Sequence, residues 1–282
     1  PRPGLLCSGV TAGQHQQGIP MVRFLLLLLL LLGGCRGSDN DLEHFRTAEQ
    51  AFASGRFILA EQLYEQFLQQ QPESPSRWQA WKRLLLISEN IRQNPRRSLE
   101  ILQSMSVEYE QDLPRLLEVL QRTASVHRHG LAQPEKSIDV WMRSLDFCAE
   151  VPGACWRAHW NMAAVHFDQG RFAESRRELE QCLEWAESPD KKAEALYMMA
   201  RTHALNEEHA QALSWIDRLV ALEGSSGQHL VLAIYMAADI HIQEGRTEQA
   251  RELLTSILET HPNPQLVKLR LNQIDPPPQT NS

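Results

Sequence analysis

The chain has few of the residues and motifs that a disulfide-rich miniprotein, a nucleic-acid-binding protein or an enzyme would need. It contains only five Cys in 282 residues, too few to hold a chain of this length together by disulfides. It has 28 Lys and Arg against 35 Asp and Glu, so it lacks the basic excess that neutralises phosphates. Glycine-rich phosphate loops and the common hydrolase and zinc-protease motifs are missing. We therefore expect no enzyme, no nucleic-acid partner and no cofactor.

The N-terminal segment is typical of a secretory signal. The first Met is Met21, and residues 1–20 are rich in Gly, Pro and Gln without apolar periodicity, so we interpret them as upstream, non-native sequence. Arg23 precedes an apolar run, Phe24–Leu32, that ends in small residues, which is the order found in signal peptides. The run is too short to cross a bilayer, which takes about 20 residues. The sequence therefore predicts a signal peptide at residues 21–34.

The end of this segment, Leu32-Gly33-Gly34-Cys35, resembles the lipobox of bacterial lipoproteins, where signal peptidase cuts before a Cys that receives a diacylglycerol thioether. The resemblance implies a lipid on Cys35 and a polar tether from there to residue 41. Arg36 favours the outer membrane, because Asp in that place usually retains such proteins at the inner membrane. We expect a lipid-anchored protein of the cell envelope that faces the periplasm. The alternatives are a plain signal peptide with a chance Cys, and a cytoplasmic scaffold in which Met21–Cys35 is no signal.

A period of about 38 residues organises the rest of the chain. The clearest copies begin with Gly-Arg at Gly55, Gly170 and Gly245 and reach a small residue five positions later. We call that small residue the repeat mark; the six marks, spaced 38, 39, 38, 37 and 38 residues apart, are Ala60, Ser98, Ser137, Ser175, Ala212 and Ala250. Apolar residues dominate the positions four and seven beyond each mark. The marks and these residues therefore share one face of a helix.

Proline and glycine separate the inferred helices. Between residues 41 and 274 they fall between the helices or at their ends, which leaves almost no room for strands. Each period thus predicts two antiparallel helices. We expect an all-α fold with six such hairpins over residues 42–262, a capping helix at 263–274 and a disordered tail at 275–282.

These hairpins resemble the tetratricopeptide repeat family. The second half of the family's motif is matched by Gly170, Ser175, Leu179 and Cys182, and again by Gly245, Ala250, Leu254, Ile257 and Pro262. The small residue of the motif's first helix is matched by Ala48, Ala163, Ala200 and Ala238. The resemblance implies a right-handed α-solenoid whose first helices line a concave groove. The period of 38 departs from the 34 residues that the family favours.

The resemblance also implies that the groove binds a protein or peptide. The family lines its groove with first-helix residues, including the position fifteen before the mark. That position holds Phe45, Arg83, Arg122, Trp160, Tyr197 and Tyr235, and we expect Arg157, Arg201 and Asp239 nearby. Aromatic residues and Arg are the usual anchors of interfaces. The alternative is that these aromatic rings pack against the neighbouring repeat.

A row of histidines nine positions before the mark, at His166, His203 and His241, leaves two interpretations. One is a metal or small-ligand site, or a pH sensor. The other is that each His lies half-buried between helices. Equivalent residues of adjacent repeats lie roughly 10 Å apart, which is too far for them to share one ion. We favour the second interpretation and expect no metal.

Two cysteines flank a Pro-Gly turn between repeats three and four. Cys148 and Cys155 can form a disulfide in an oxidising periplasm, or both can be small buried apolar residues. Cys182 lies on the predicted packing face, so we interpret it as structural.

Together these patterns predict a membrane-anchored periplasmic scaffold or adaptor that binds a protein or peptide partner in an envelope complex through its concave groove. One alternative is an accessory lipoprotein of β-barrel outer-membrane assembly, because residues 60–67 followed by Pro72-Glu73-Ser74-Pro75 are similar to a pattern in such proteins. The other is a metal- or small-ligand-binding protein that uses the His row.

Overall fold

A computed structural model of the chain describes residues 36–274. In this range the backbone forms thirteen α-helices and no strand, which confirms the all-α prediction. None of the described helices combines the length and the apolar character that crossing a bilayer requires.

Several predicted segments lie outside the described residues: the upstream sequence 1–20, the signal peptide 21–34, the lipidation site Cys35 and the tail 275–282. Residues 36–41, predicted as a polar tether, form the start of the first helix.

Within each unit, neighbouring helices pack against each other. In chain order they are α1 Arg36–Ala53, α2 Phe57–Gln70, α3 Arg77–Leu86, α4 Pro95–Glu108, α5 Leu113–Ser125, α6 Pro134–Leu145, α7 Ala154–Asp168, α8 Phe172–Glu184, α9 Pro189–Leu205, α10 His209–Val220, α11 Gln228–Gln243, α12 Thr247–Ser256 and α13 Pro264–Ile274. In sequence position, helices α1 to α12 correspond to the first and second helices of the six predicted repeats, and α13 occupies the segment predicted to cap the last repeat. A short 3-10 turn, Cys148–Glu150, precedes α7.

The chain divides into two compact units, residues 1–91 and 92–282. The described part of the first unit holds α1 to α3, and that of the second holds α4 to α13. The boundary falls between the two helices of repeat two.

Burial follows the predicted register. All six repeat marks are 0% exposed. The residues four and seven positions beyond the marks are buried as well, and these are Tyr64, Leu102, Trp141, Leu179, Ile216 and Leu254, with Phe67, Met105, Ser144, Cys182, Leu219 and Ile257. In repeat four the hydroxyl of Ser175 donates to the carbonyl of Ala163 on the facing helix at 2.9 Å. The two helices of that hairpin therefore approach each other at a pair of small residues, as the sequence predicts.

Each hairpin turns at a residue with positive φ, five positions before its mark. These residues are Gly55, Gln93, Ala132, Gly170, Glu207 and Gly245. After the turn, the N–H of Arg171 donates to the carbonyl of His166 at 2.9 Å, five residues back, an arrangement in which helices commonly end. Glycine adopts positive φ without steric cost, whereas Gln93, Ala132 and Glu207 adopt it against their preference.

Repeats two and three depart from the expected geometry at the end of their first helices. The π-helical turns Ile87–Ile91 and Val126–Gly130 continue α3 and α5. A π turn widens the helix, and in repeat three the N–H of Gln133 reaches the carbonyl of His127, six residues back, at 2.7 Å. Gly130 passes Pro95 so closely that a Cβ on it would lie 2.9 Å from the Pro95 Cβ. Glycine is therefore required there by close approach.

Candidate protein-binding face of the first helices

The predicted groove residues all lie on first helices, but they divide between the two units. Phe45 lies on α1 and Arg83 on α3, in the first unit. The remaining seven lie in the second unit, with Arg122 on α5, Arg157 and Trp160 on α7, Tyr197 and Arg201 on α9, and Tyr235 and Asp239 on α11. We call the surface of α5, α7, α9 and α11 that carries these seven residues the first-helix face.

In the first unit, Phe45 belongs to the hairpin interior. Its ring centroid lies 5.5 Å from that of Phe67 and 6.1 Å from that of Tyr64 on the facing helix. The packing interpretation therefore describes this aromatic residue.

Arg83 is also engaged inside the first unit. Its Nε and Nη2 atoms donate to the two oxygens of Glu49 at 2.8 and 2.9 Å, and its guanidinium lies 4.5 Å from the centroid of the Phe52 ring. Burial raises the pKa of the Glu49 carboxyl, but hydrogen bonds from Arg83 and Tyr64 outweigh burial and hold that pKa below its usual value. Arg83 thus ties α3 to α1 through a bidentate ion pair.

In the second unit, three arginines are exposed on successive first helices: Arg122, Arg157 and Arg201. The Nη1 atom of Arg157 donates to Gln121 Oε1 at 3.1 Å. The Arg201 guanidinium lies 4.7 Å from the centroid of the Phe167 ring. These partners are neutral, although the charge of Arg157 also contributes to lowering the pKa of the Glu187 carboxyl. Both guanidinium groups are exposed and so can bind a carboxylate.

The aromatic residues of the first-helix face are half-buried. Trp160 stacks on Trp156 with centroids 5.2 Å apart and an interplanar angle of 9°. Tyr197 lies 5.8 Å from the ring of His229 on the next repeat. Both rings therefore pack against neighbours and still expose part of their surface. The packing interpretation and the partner-binding interpretation each describe part of their environment.

At the C-terminal end of the second unit, the face is engaged by the last helix. Arg270 Nε on α13 donates to Asp239 Oδ1 at 2.6 Å. The Tyr235 ring lies 5.2 Å from that of His261, and burial and the Asp239 carboxylate raise the pKa of its hydroxyl. Tyr235 and Asp239 therefore hold α13 in place.

Two methionines on this surface were missed by the sequence reasoning. Met198 and Met236 directly follow Tyr197 and Tyr235, and both are half-buried between repeats. Methionine adapts its shape to irregular contacts. The sequence could have indicated them, because each methionine directly follows a tyrosine at a predicted groove position.

The histidine row does not converge on one point. Among residues 43–274 no three His, Cys, Asp or Glu side chains form a group that could hold a metal ion. His203 Nδ1 pairs with Glu208 Oε2, whereas the buried Nδ1 atoms of His166 and His241 have no hydrogen-bond partner within the described part of the chain. Burial, with the charges of Arg171 and Arg246, lowers the pKa of His166 and of His241.

The structure joins Cys148 and Cys155 in a disulfide, with their Cα atoms 4.8 Å apart. Both residues are also buried, at 5% and 3% exposure. Cys182 is buried with a free thiol, and burial raises the pKa of that thiol. A buried thiol of raised pKa is unreactive, in keeping with a structural role.

Two segments of the second unit match family models. Residues 157–222 match one model described as tetratricopeptide repeat, and residues 232–264 match another with the same description. The second unit therefore contains tetratricopeptide repeats, which typically act as protein-interaction scaffolds. No curated protein sequence matches the chain.

Solved structures are similar to the chain at low identity. The apo form of RapI has a TM-score of 0.58 and 10% identity, over 83% of this chain and 81% of that one. The C-terminal part of a TPR repeat-containing protein from Cytophaga hutchinsonii has 0.52 and 12%, over 76% and 78%. PilW, described as a type IV pilus biogenesis factor, has 0.50 and 15%, over 82% and 98%. These similarities support an α-solenoid fold.

Proposed function

We propose that the chain is a lipid-anchored scaffold or adaptor of the cell envelope that holds a protein or peptide partner on the first-helix face of its second unit. The observation that carries this proposal is the set of three exposed arginines, Arg122, Arg157 and Arg201, on three successive first helices beside half-buried aromatic rings. Arginine binds carboxylates through charge-assisted hydrogen bonds, and aromatic rings supply contact area. The partner segment therefore offers carboxylates together with apolar side chains.

Crosslinking in cells tests this proposal. The chain is expressed in a Gram-negative bacterium, crosslinked in the cells and purified, and its partners are identified by mass spectrometry. A charge-reversed variant that carries Arg122→Glu, Arg157→Glu and Arg201→Glu is treated in parallel. We expect the captured partners to fall about tenfold or more in this variant, because several interface anchors are lost together. Circular dichroism verifies that the variant is folded.

The matched control reverses three exposed charges on second helices of the same unit, with Lys136→Glu and Arg143→Glu on α6 and Arg177→Glu on α8. It changes the net charge equally, so it should keep its partners. If both variants captured equally less partner protein, the loss would be an effect of net charge and not of the first-helix face. If the first-helix variant captured its partners as the wild type does, the partners would bind another surface.

The membrane anchor is proposed from the residues that precede Arg36. The order of Arg23, the apolar run and Cys35 supports it, because lipoprotein processing requires a Cys directly after the cleavage site. Metabolic labelling with an alkyne fatty acid should modify the wild-type chain and leave Cys35→Ala unlabelled. Cys182→Ser, which alters a buried cysteine, should be labelled like the wild type. Label on Cys35→Ala would contradict the anchor, and density fractionation would assign the outer or the inner membrane.

A further inference from the structure

Three carboxylates on the described first helices are half-buried, and they differ in how they are compensated. These are Glu49 on α1, Glu194 on α9 and Asp239 on α11. Glu49 accepts two hydrogen bonds from Arg83 on α3. Asp239 accepts one from Arg270 on α13. Glu194 makes no hydrogen bond or ion pair within the described part of the chain. The other two carboxylates therefore indicate which side chain Glu194 is suited to bind, an arginine.

The charged neighbours of Glu194 do not take the place of such an arginine. Lys191, one turn earlier on α9, donates from its Nζ to Glu187 Oε2 at 2.9 Å. The ring of His229, on α11, lies 5.8 Å from that of Tyr197. Burial raises the pKa of the Glu194 carboxyl and outweighs the opposing charges of His229 and Lys191. A half-buried carboxylate without a hydrogen bond is costly, and a guanidinium beside it would stabilise its charged form.

Glu194 lies on the same stripe of α9 as Arg201 of the first-helix face. Along this stripe Glu194, Tyr197, Met198 and Arg201 follow the spacing i, i+3, i+4 and i+7. The first three side chains are half-buried and Arg201 is exposed. A carboxylate and a guanidinium of opposite charge thus flank a tyrosine and a methionine on one helix surface.

The length of this stripe matches one turn of an extended peptide. Glu194 and Arg201 are seven residues apart, a rise of about 10 Å along the helix. A peptide in the polyproline II conformation has three residues per turn and advances about 9 Å in that turn. Its side chains therefore point the same way at every third residue, so two of them can reach Glu194 and Arg201 together.

We propose that the first-helix face selects an extended partner segment that carries an arginine and an acidic residue three positions apart. The guanidinium pairs with Glu194, the acidic side chain pairs with Arg201, and the residues between them contact Tyr197 and Met198. Arginine suits this carboxylate because its planar guanidinium donates two hydrogen bonds to one carboxylate. This inference rests on the proposed function, since it names the partner chemistry of the same face.

Methyl NMR tests the inference on the purified full chain, labelled at its seven methionines. The Met198 signal, assigned with Met198→Leu, reports on the stripe. Met142, which is 50% exposed on the second helix α6, reports on unspecific binding. The probes are the end-capped tetrapeptides Arg-Leu-Pro-Glu and Glu-Leu-Pro-Arg, which present the charge pair in both chain directions. Each is compared with a peptide that has citrulline, the neutral isostere, in place of arginine.

We expect one of the two arginine peptides to shift the Met198 signal saturably and to leave Met142 unchanged. It should bind about tenfold more tightly than its citrulline counterpart, as for one charge-assisted hydrogen bond. The peptide Leu-Arg-Glu-Pro has the same composition but places the two charges on adjacent residues. It should bind several-fold more weakly, because it cannot reach both ends of the stripe.

Two variants of Glu194 and one control locate the effect. Glu194→Gln should weaken the arginine peptide about tenfold and leave the citrulline peptide unchanged. Glu180→Gln, at an exposed site on the second helix α8, should change the affinity less than about twofold. Glu194→Arg should reverse the preference, so that Glu-Leu-Pro-Glu binds more tightly than the arginine peptide. Circular dichroism verifies that each variant is folded.

Several results would overturn the inference and leave the proposed function standing. These are equal affinity for the arginine and citrulline peptides, unchanged affinity in Glu194→Gln, and equal affinity for the peptide with adjacent charges. Absence of any saturable Met198 shift would overturn it as well. The proposed function is judged separately, because the capture experiment with the charge-reversed arginine variant does not depend on Glu194.

Discussion

Repeats two and three differ from repeats four to six at the end of the first helix. In the later repeats the helix ends in a single residue of positive φ, and two of the three are glycines, Gly170 and Gly245. In the earlier repeats a π turn precedes the equivalent residues, Gln93 and Ala132. Both earlier repeats lie outside the segments that match family models. The repeat marks are nevertheless fully buried in all of these repeats.

This difference shows which part of the repeat specifies the packing. The Gly-Arg motif at the turn can change, because other residues adopt positive φ at an energetic cost. The mark stays small, and the residues four and seven positions later are all buried and, apart from Ser144, apolar, because they fill the packed interior. The register of the array therefore rests on buried volume more than on the residues of the turn.

The largest expected effect tests this conclusion in the core. Leu179 in repeat four and Leu102 in repeat two hold the same position, four beyond the mark, and are 0% and 1% exposed. Replacing either with Ala should lower the free energy of unfolding by about 2–5 kcal/mol, because each substitution leaves a cavity. Urea denaturation followed by circular dichroism measures both.

The control is Val107→Ala on α4, where the side chain is 73% exposed and the change should stay within about 0.5 kcal/mol. A large loss for Leu179→Ala and none for Leu102→Ala would break the comparison, since it would show that repeat two does not share the packing of repeat four.

An intermediate effect is expected at the turns, with opposite signs in the two groups of repeats. Ala132 has a φ of 52° and Gly170 a φ of 69°, and nothing lies within 4 Å of a Cβ built on Gly170. Gly170→Ala should therefore destabilise by about 1–2 kcal/mol through backbone strain alone. Ala132→Gly should stabilise by about 1 kcal/mol because it removes the same strain.

The same change in a helix provides the control for the turn. Ala173→Gly, at an exposed site in the first turn of α8, should destabilise by up to about 1 kcal/mol, the cost of Gly in a helix interior. Thermal unfolding compares the three variants. If Ala132→Gly destabilised the chain as Ala173→Gly does, the strain at the turn of repeat three would be absent.

The smallest expected effect concerns pH and is confined to the later repeats. The position nine before the mark holds His166 in repeat four and His241 in repeat six, but Glu89 and Arg128 in repeats two and three. Burial first, and then a neighbouring Arg, lowers the pKa of both histidines below the usual 6.5. As the pH falls, the unfolded chain therefore binds more protons than the folded chain. The stability that these histidines contribute above about pH 7 is lost as the pH drops through their lowered pKa values.

Urea denaturation at a series of pH values measures this loss. It should be smaller in the double variant His166→Gln and His241→Gln than in the wild type. His129→Gln, at an exposed site in repeat three, should follow the wild type. A double variant that lost stability with the same pH dependence as the wild type would contradict the role of these two histidines.

Much of the fold could be predicted because small and apolar residues recur in the sequence with a regular period. The spacing of the marks identified the buried face of every second helix, including repeats where no Gly-Arg pair occurs. The π turns could not be predicted, because the sequences Ile87–Ile91 and Val126–Gly130 have no signature that separates them from an α-helix. The positive φ of Gln93 and Ala132 was hidden for a related reason, since neither residue prefers it.

The candidate site was less predictable than the fold. The sequence placed Arg83 and Asp239 on first helices, but their partners Glu49 and Arg270 come from other elements, and such pairs depend on the exact approach of two helices. The disulfide between Cys148 and Cys155 was left open against two separate thiols, because spacing alone does not fix the distance between sulfur atoms.

The six fully buried marks also limit how the chain can diverge. Each mark accepts only a residue the size of Ala or Ser, while the surfaces of the same helices are free to vary. A lineage can therefore replace most of its residues without losing the array, provided that these few small positions persist at their spacing. Solved structures that share 10–15% of their residues with the chain have a similar helical architecture.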